Sequence, residues 1–204
     1  MTLNVYTYIF ASSISIPHKH SNKNMETLAK TTWAIDPTHS EIQFKVKHLV
    51  ISTVTGSFKS FEGTLETEGD DFTDAKIQFS ADIDSIDTNM PQRDGHLKSA
   101  DFFDAENHPK LTFVSTSFTK KDEDTYILTG DLTMRGTTKS VTLSATYGGQ
   151  MVDFYGNTKV GFEIAGKVNR KDFGLNWSAV TEAGGVVVSD EVKLHLNIQL
   201  AKQG

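Results

Sequence analysis

The feature that most constrains this chain is a strict alternation of apolar and polar residues over several long stretches. Along 191–200 every second residue is apolar, and the same period of two runs through 41–47, 75–83 and 140–147. Such alternation buries one face of a strand and leaves the other in water, as in an antiparallel sheet. Helical periodicity of any length is missing. The sequence therefore predicts an all-β protein and excludes a βαβ architecture.

Weaker alternation predicts further strands at 55–67, 110–118, 125–134 and 158–169, which makes about eight strands in all. Short turn sequences link them, so consecutive strands should form hairpins. Eight such strands, each with one face in solvent, would close into a small barrel. Closure leaves no strand with an unpaired edge. A two-sheet sandwich would bury the same residues and is the alternative. Strands as long as 158–169 favour the barrel.

One predicted strand must bend. Phe58 and Phe61 lie within it at positions of opposite parity, so a straight strand would bury only one of them. A bulge or bend near Ser60 would turn both inward, as a strongly curved sheet requires.

Residues 90–104 depart from the strand pattern. Pro91 fits the first turn of a helix, where its missing N–H costs nothing. Asn89 is a suitable N-cap. The sequence therefore predicts one short helix near 90–99.

Two adjacent phenylalanines follow this helix. Neighbouring side chains point to opposite faces of a strand, so Phe102 and Phe103 are better placed in a turn whose rings dock onto something. The helix itself supplies Leu97 as its one large apolar residue. We expect Leu97, Phe102 and Phe103 to close one end of the barrel.

Composition excludes several functional classes. The net charge is −6 and no run is strongly basic, which argues against a nucleic-acid partner. The chain has no cysteine, so disulfides, thiolate metal ligands and cysteine nucleophiles are excluded. No apolar run approaches the roughly 20 residues that span a bilayer, so we expect a protein that is not integral to a membrane.

The N-terminal residues differ from the remainder of the chain. Residues 1–24 contain no Asp or Glu, and they lack the basic start of a secretory signal. We expect residues 1–30 to be a disordered or poorly ordered extension and residues 31–204 to form the barrel. The expected location is cytoplasmic, and periplasmic is the alternative if 1–24 act as a signal.

Motifs of catalysis were not found. The chain lacks a phosphate-binding loop, a dinucleotide fingerprint, a G-x-S-x-G elbow and an H-E-x-x-H helix. We therefore expect no enzyme activity and no cofactor. Asp82, Asp84 and Asp87 resemble a carboxylate cluster, but Asp87 lies past the end of its strand, so no metal site is expected.

Two histidines have alternative interpretations. His48 lies on the apolar parity of its strand, where it either caps the strand end or makes a polar contact at a cavity mouth. His96 is either a solvated residue of the helix or an acid–base group with Asp94 or Asp101.

Five groups of residues share their spacing with a known family. They are Trp33-x-x-Asp36-x-x-His39-Ser40-x-Ile42-x-Phe44-x-Val46-x-His48, Gly56-x-Phe58-x-x-Phe61-x-Gly63, Arg93-Asp94-x-His96-Leu97-x-Ser99-x-Asp101-Phe102-Phe103-Asp104, Gly130-x-Leu132-Thr133-x-x-Gly136 and Arg170-x-Asp172-Phe173-Gly174. Over about 33–200 the chain resembles the YceI-like family. The resemblance implies an extended, lipocalin-like antiparallel barrel whose apolar tunnel holds a polyisoprenoid or a similar long-chain amphiphile.

The candidate ligand-binding residues combine inward positions with polar groups expected at the mouth. They are Phe44, Val46, His48, Phe58, Ile77, Phe79, Arg93, His96, Leu97, Phe102, Phe103, Phe113, Leu132, Leu143, Phe162, Arg170, Asp172, Phe173 and Leu194. Large inward residues alternate with small ones such as Gly130 and Ala145, which fits either an open slot or interdigitated packing.

The expected function is the binding, storage or transport of a hydrophobic small molecule such as an isoprenoid, a quinone or a fatty amide. One alternative is an enzyme or stress-associated factor that acts on such a ligand. Another is a packed barrel that serves as an interaction scaffold. A homodimer is possible in each case.

Overall fold

The computed structural model describes residues 30–69, 71–179 and 187–204. The strands are β1 (Lys30–Ile35), β2 (Glu41–His48), β3 (Ser52–Phe58), β4 (Phe61–Glu68), β5 (Lys76–Asp82), β6 (Ile86–Asp87), β7 (Lys110–Lys120), β8 (Thr125–Met134), β9 (Thr137–Val152), β10 (Thr158–Asn169) and β11 (Val188–Lys202). One α-helix, α1 (Pro91–Lys98), and two 3-10 helices, Ile83–Ser85 and Arg170–Phe173, complete the described elements. The predicted extension lies almost wholly outside the described residues, since β1 already begins at Lys30.

All strand pairs are antiparallel, and the sheet closes on itself. The order β4-β5-β7-β8-β9-β10-β11 follows the chain, and β1 pairs with both β4 and β11. Three strands of the wall are interrupted, because β2, β3 and β6 continue the lines of β1, β4 and β5. The result is a closed eight-stranded barrel with one short helix among the described residues. The predicted fold is confirmed, and the sandwich is excluded because the sheet has closed.

The predicted bend near Ser60 is confirmed. β3 ends at Phe58 and β4 begins at Phe61, with a bend at the two residues between them. The 3-10 helix Ile83–Ser85, between β5 and β6, lies beside this bend. The two are joined by a hydrogen bond from the Lys59 N–H to the Ser85 carbonyl at 3.1 Å. Both phenylalanines therefore contribute to the interior.

The helix lies where the sequence predicts it, but its N-cap was predicted wrongly. The cap position is held by Met90, and Asn89 has a φ of 59°. An N-cap needs extended backbone angles, which Asn89 does not have. Its left-handed conformation belongs instead to the tight turn that leads into the helix, where the Asp87 carboxylate accepts the Asn89 N–H at 2.8 Å.

The kink between β1 and β2 is organised by one carboxylate. Asp36 accepts hydrogen bonds from the backbone and hydroxyl of Thr38 at 3.1 and 2.6 Å and from Lys159 on β10 at 3.0 Å. His39 lies 3.0 Å away, and the Gln199 amide of β11 donates at 3.3 Å. These donors, Thr38 first, hold the pKa of Asp36 far below its usual range. The first motif of the resemblance thus has a structural task, which is to fasten the kink to β10 and β11.

Candidate functional site

The interior of the barrel contains a cavity lined almost wholly by apolar atoms. The space open to the centres of water-sized molecules is ≈ 210 Å³. A single buried water needs only about 10–15 Å³ by the same measure, so the barrel is far from fully packed. Of the two interpretations of the mixed large and small inward residues, the open slot is the one observed.

Glycines on the inner wall make room for this cavity. The ring of Phe44 lies against Gly56 on the neighbouring strand, and the ring of Phe113 lies against Gly130. A Cβ added at either glycine would overlap with the ring. Because the rings can lie flat on these glycines, they leave the centre of the barrel free.

Most of the residues predicted from the sequence line the cavity. They are Phe44, Val46, Phe58, Ile77, Phe79, Leu97, Phe102, Phe103, Phe113, Leu132, Leu143, Phe162, Arg170 and Leu194. Their contact with a ligand stays a prediction, since the structure describes the protein alone.

Three further predicted residues lie outside the cavity lining. His48 is the last residue of β2, where its carbonyl accepts a hydrogen bond from Ser52 at 3.1 Å. Asp172 is exposed in the second 3-10 helix, and Phe173 beside it is fully buried behind the lining. Asp172 and Phe173 follow the end of β10, so the alternation of inward and outward residues along a strand gives no information about them.

Arg93 also lies outside the lining, and two of its nitrogens donate hydrogen bonds within the protein. Its Nε donates to the hydroxyl of Thr88 at 2.7 Å and its Nη2 to the Thr88 carbonyl at 2.7 Å. Asp94 accepts the Thr88 N–H at 2.9 Å and its hydroxyl as well. Arg93 and Asp94 therefore fasten α1 to the buried Thr88.

His96 packs behind the cavity wall instead of lining it. Its Nε2 lies 3.0 Å from the Asp101 carboxylate, and its ring meets the rings of Phe102 and Trp177 edge-on, each at 5.1 Å between centroids. Phe102 does line the cavity. His96 thus supports a lining residue from behind.

One end of the barrel is filled by aromatic rings, and we call it the aromatic end. It consists of Trp33, Phe72, Phe118, Tyr126, Tyr147 and Phe162. Phe162 lies at the centre, with its ring 5.3 Å from Phe72 and 5.6 Å from Tyr147. Burial raises the pKa of the Tyr126 hydroxyl. Phe118 and Phe162 face the cavity, and the other four rings close it off behind them.

The opposite end is built from loops tied together by arginines, and we call it the arginine end. Arg170 is 4% exposed and touches the cavity. Its guanidinium donates to the carbonyl oxygens of Leu175, Trp177, Val188 and Ser189 and to the carboxylate of Asp190. All five N–H groups are therefore used. Burial lowers the pKa of Arg170, and the nearby Asp190 carboxylate opposes that shift.

Arg135 ties the same end together from the β8–β9 turn. It donates to the carbonyl oxygens of Phe102 and Gly174 at 3.0 Å each and to that of Ala100 at 2.8 Å. It thereby joins the turn after α1 to the turn after the second 3-10 helix. Arg93, Arg135 and Arg170 are the three arginines of the chain, and each donates to backbone carbonyls at this end.

Polar groups are scarce around the cavity. Among the described residues, the Trp33 indole nitrogen is the buried side-chain polar atom without a partner, and Trp33 does not line the cavity. Within the same residues, no three His, Asp or Glu side chains come close enough to hold a metal ion. Asp82 instead accepts one hydrogen bond from the Ser60 hydroxyl and forms an ion pair with Lys110 at 3.6 Å.

Sequence reasoning missed several residues of both ends. Phe72 follows a turn sequence and has no strand parity, and Trp33 and Tyr147 were not recognised as closing residues. Arg135 lies in the turn between β8 and β9, where the sequence does not show which carbonyls it reaches. The backbone of Arg135 is left-handed, with a φ of 47°, but this value comes from the structure and cannot be inferred from the sequence.

None of the helices in the described part of the chain is long and apolar enough to cross a membrane.

Comparisons with known proteins agree with this geometry. A model of the YceI-like domain matches residues 33–200. Protein YceI of Escherichia coli O157:H7 is 39% identical over 165 residues, which covers 81% of this chain and 83% of that protein. The crystal structure of a Campylobacter jejuni YCEI protein superposes with a TM-score of 0.66 at 32% identity, over 78% of this chain and 90% of that one.

A more distant structure shares the fold. A polyisoprenoid binding domain from Saccharophagus degradans has a TM-score of 0.62 at 15% identity, with 84% of this chain and 98% of that chain covered. The family model covers most of this chain, and the Escherichia coli relative is similar along nearly the same length. The chain belongs to the YceI-like family.

Proposed function

We propose that this protein binds the long apolar chain of a polyisoprenoid or a similar amphiphile inside its barrel. The observation that carries the proposal is a cavity in a closed barrel with an almost wholly apolar lining. The structurally similar Saccharophagus degradans domain is described as polyisoprenoid-binding, which supports the choice of ligand class.

The lining favours a ligand that is apolar along its buried length. Each buried CH₂ group gains about 0.8 kcal/mol, so a chain of about ten such groups would bind usefully even after the cost of ordering it. The lining presents almost no polar surface to the cavity, and the N–H groups of Arg170 are all engaged. A polar head group would therefore remain at the arginine end, with the chain directed toward the aromatic end.

Storage or transport is the role that we propose for such binding. A barrel that shields an apolar chain from water makes the molecule soluble, and a ligand held by packing alone leaves without any bond being broken. The candidate ligands are an isoprenoid, a quinone and a fatty amide, which differ mainly in the head group.

The test is to recover the ligand and then block its site. Native mass spectrometry of the purified protein, with extraction of bound lipid, should show a long-chain apolar molecule. Ala145 lines the cavity, so Ala145→Phe should fill it and abolish binding of added polyisoprenoid. Ala165 lies on the outer wall of β10, so Ala165→Phe is a matched control that should bind normally.

Two results would contradict the proposal. One is unchanged binding in a folded Ala145→Phe variant. The other is failure of the wild-type protein to bind any long-chain apolar molecule that is supplied to it. If Ala145→Phe does not fold, Ile164→Phe provides the same test, because Ile164 also lines the cavity.

A further inference from the structure

The hairpin between β2 and β3 carries three consecutive apolar residues at its tip. Leu49, Val50 and Ile51 are 39%, 75% and 87% exposed. The tip is fixed, because the Leu49 N–H donates to the Val187 carbonyl at 2.9 Å and Ser52 donates to the His48 carbonyl. The apolar side chains are thus held out into solvent. Loop tips usually carry small or polar residues instead.

Two residues of this tip have left-handed backbone conformations, which are rare for apolar residues. Leu49 and Val50 have φ values of 51° and 64°, which glycine and asparagine adopt readily and a β-branched residue does not. The turn alone would be more stable with Asn or Gly at these positions. An exposed apolar side chain at a strained backbone position does not stabilise the turn, which indicates that the side chain contacts another molecule.

The tip stands at the arginine end, beside the cavity. Val46, two residues before His48 on β2, and Val188 on β11 both line the cavity. Residues 52–56 of β3 pair with β2, whereas β6 reaches only 57–58. Along 52–56 the β3 arm of the hairpin therefore has no second neighbour among the described strands, whereas the β2 arm stays paired with β11 as far as His48.

Lysines lie on the outer wall next to this tip. Lys45 is paired with Lys193 on β11, and Lys193 is paired with Lys167 on β10, so three lysines lie side by side. Lys47 lies one step nearer the tip, and Lys45 and Lys47 are exposed. We call Lys45, Lys47, Lys167 and Lys193 the lysine row.

The carboxylates next to the lysine row are engaged. Asp190 pairs with Arg170 and with Lys171, and Glu191 pairs with Lys167 at 2.8 Å. Glu191 thus neutralises Lys167, and Lys45, Lys47 and Lys193 remain as a local excess of positive charge on a chain whose net charge is −6. Lys45 and Lys193 lie directly opposite each other, and like charges in such a pair destabilise a sheet, so an external negative partner would relieve the repulsion.

We propose that the tip 49–51 inserts into a lipid surface and that the lysine row contacts its anionic head groups. The apolar side chains would enter the boundary of the acyl chains, and the lysines would lie at the level of the phosphates. The arginine end of the cavity then faces the membrane. The proposal goes beyond ligand binding, because it concerns the outer surface and holds whatever molecule fills the cavity.

The charge favours a lipid surface over a second copy of the chain. A two-fold dimer through this hairpin would bring two lysine rows toward each other, which repels. An anionic membrane offers the opposite charge together with an apolar layer, and it matches both parts of the surface.

The test is sedimentation of the full-length protein with vesicles. Vesicles of phosphatidylcholine mixed with phosphatidylglycerol should bind the protein, and vesicles of phosphatidylcholine alone should bind it much less. Val50→Asn with Ile51→Ser should lower binding at least tenfold. The melting temperature should be unchanged or raised, because asparagine suits the left-handed backbone at position 50.

The matched control is the hairpin tip at the aromatic end. Phe154 and Tyr155 are fully exposed there, but the turn is an ordinary one, capped by the Asp153 carboxylate and containing Gly156. Phe154→Ser with Tyr155→Ser should leave vesicle binding within about twofold. Replacing Lys45, Lys47 and Lys193 by Gln should weaken binding about fivefold for each lysine and reduce its dependence on salt.

Depth in the bilayer gives a second readout. Ile51→Trp fluorescence should be quenched by brominated lipid in the anionic vesicles, whereas Phe154→Trp fluorescence should not. Full binding by the Val50→Asn/Ile51→Ser variant would overturn the proposal, as would quenching at position 154 instead of position 51. Loss of a solution dimer in that variant, with vesicle binding intact, would assign the tip to an interface between copies and would also overturn it.

Discussion

The two ends of the barrel are closed by different physical means. At the aromatic end six rings pack together with Phe162 at the centre, and they come from a loop and five strands. At the arginine end the closing pieces are α1 and several turns, and Arg93, Arg135 and Arg170 hold them by donating to backbone carbonyls. The first end is a continuation of the core. The second is a set of loops joined by hydrogen bonds.

This difference indicates which end can open. Rings that are buried together gain free energy from their whole area, and parting them exposes all of it to water. Apart from those of the buried Arg170, the hydrogen bonds of the arginine end are part-buried or exposed, and such a bond is largely replaced by one to water when it breaks, so its net loss is small. Loops held in this way belong to the less stable parts of a protein. We therefore expect a ligand to enter and leave through the arginine end.

The largest effect should come from Arg170. Replacing it with Met leaves several carbonyls without their donor and should lower the free energy of unfolding by about 3–5 kcal/mol, measured by urea denaturation. Arg170→Lys should rescue little, because an ammonium group cannot reproduce the planar fork. If Arg170→Met were as stable as the wild type, the arginine end would not depend on this residue.

The aromatic end should behave as a packed core. Phe72→Ala should cost about 3–5 kcal/mol, because Phe72 is buried among Trp33, Tyr147 and Phe162. Phe79 is only half-buried and faces the cavity, so Phe79→Ala should cost less than that range. The same denaturation experiment measures both. Equal losses at the two positions would remove the distinction between core and cavity wall.

Asp36 stabilises the kink between β1 and β2 by polar contacts. Its folded-state pKa is lowered, chiefly by Thr38, so it contributes stability at pH values above its unfolded pKa of about 3.9. That contribution is lost as the pH falls below about 4 toward the lowered pKa. Asp36→Asn should therefore cost about 1–3 kcal/mol at pH 7 and have a much smaller effect in strong acid. A cost that does not change with pH would mean that the charge of Asp36 is not what stabilises the kink.

The smallest effect should be on the rate of ligand release. Phe103 lines the cavity, and its ring lies 6.2 Å from that of Phe58 at the arginine end. Phe103→Ala should speed the dissociation of a fluorescent polyisoprenoid about threefold to tenfold, with little effect on association. Phe154→Ala, at the opposite end and fully exposed, is the control and should change neither rate.

The strands could be predicted from the sequence because their signal is local. Residues 191–200 alternate without error and lie within β11, and Pro91 indicated the start of α1. The bend at Ser60 followed from the parity of Phe58 and Phe61. Each of these inferences needed only neighbouring residues.

The ends of the barrel could not be predicted in this way. Phe72 closes the aromatic end from a loop, and its partners Trp33 and Tyr147 are distant in sequence. Arg170 and Arg93 were chosen as polar groups for a ligand, but the structure engages their donors with backbone oxygens. A sequence shows that an arginine is present; which carbonyls come within its reach depends on how the loops fold.

Hydrogen exchange with and without bound polyisoprenoid tests the central claim most directly. The amides of 92–103 at the arginine end should gain protection when the ligand binds, because the loops would close over it. The amides of 72–75 and 118–126 at the aromatic end should change little, since that end is already packed. Protection gained at the aromatic end and unchanged exchange over 92–103, with ligand demonstrably bound, would contradict the assignment of the two ends.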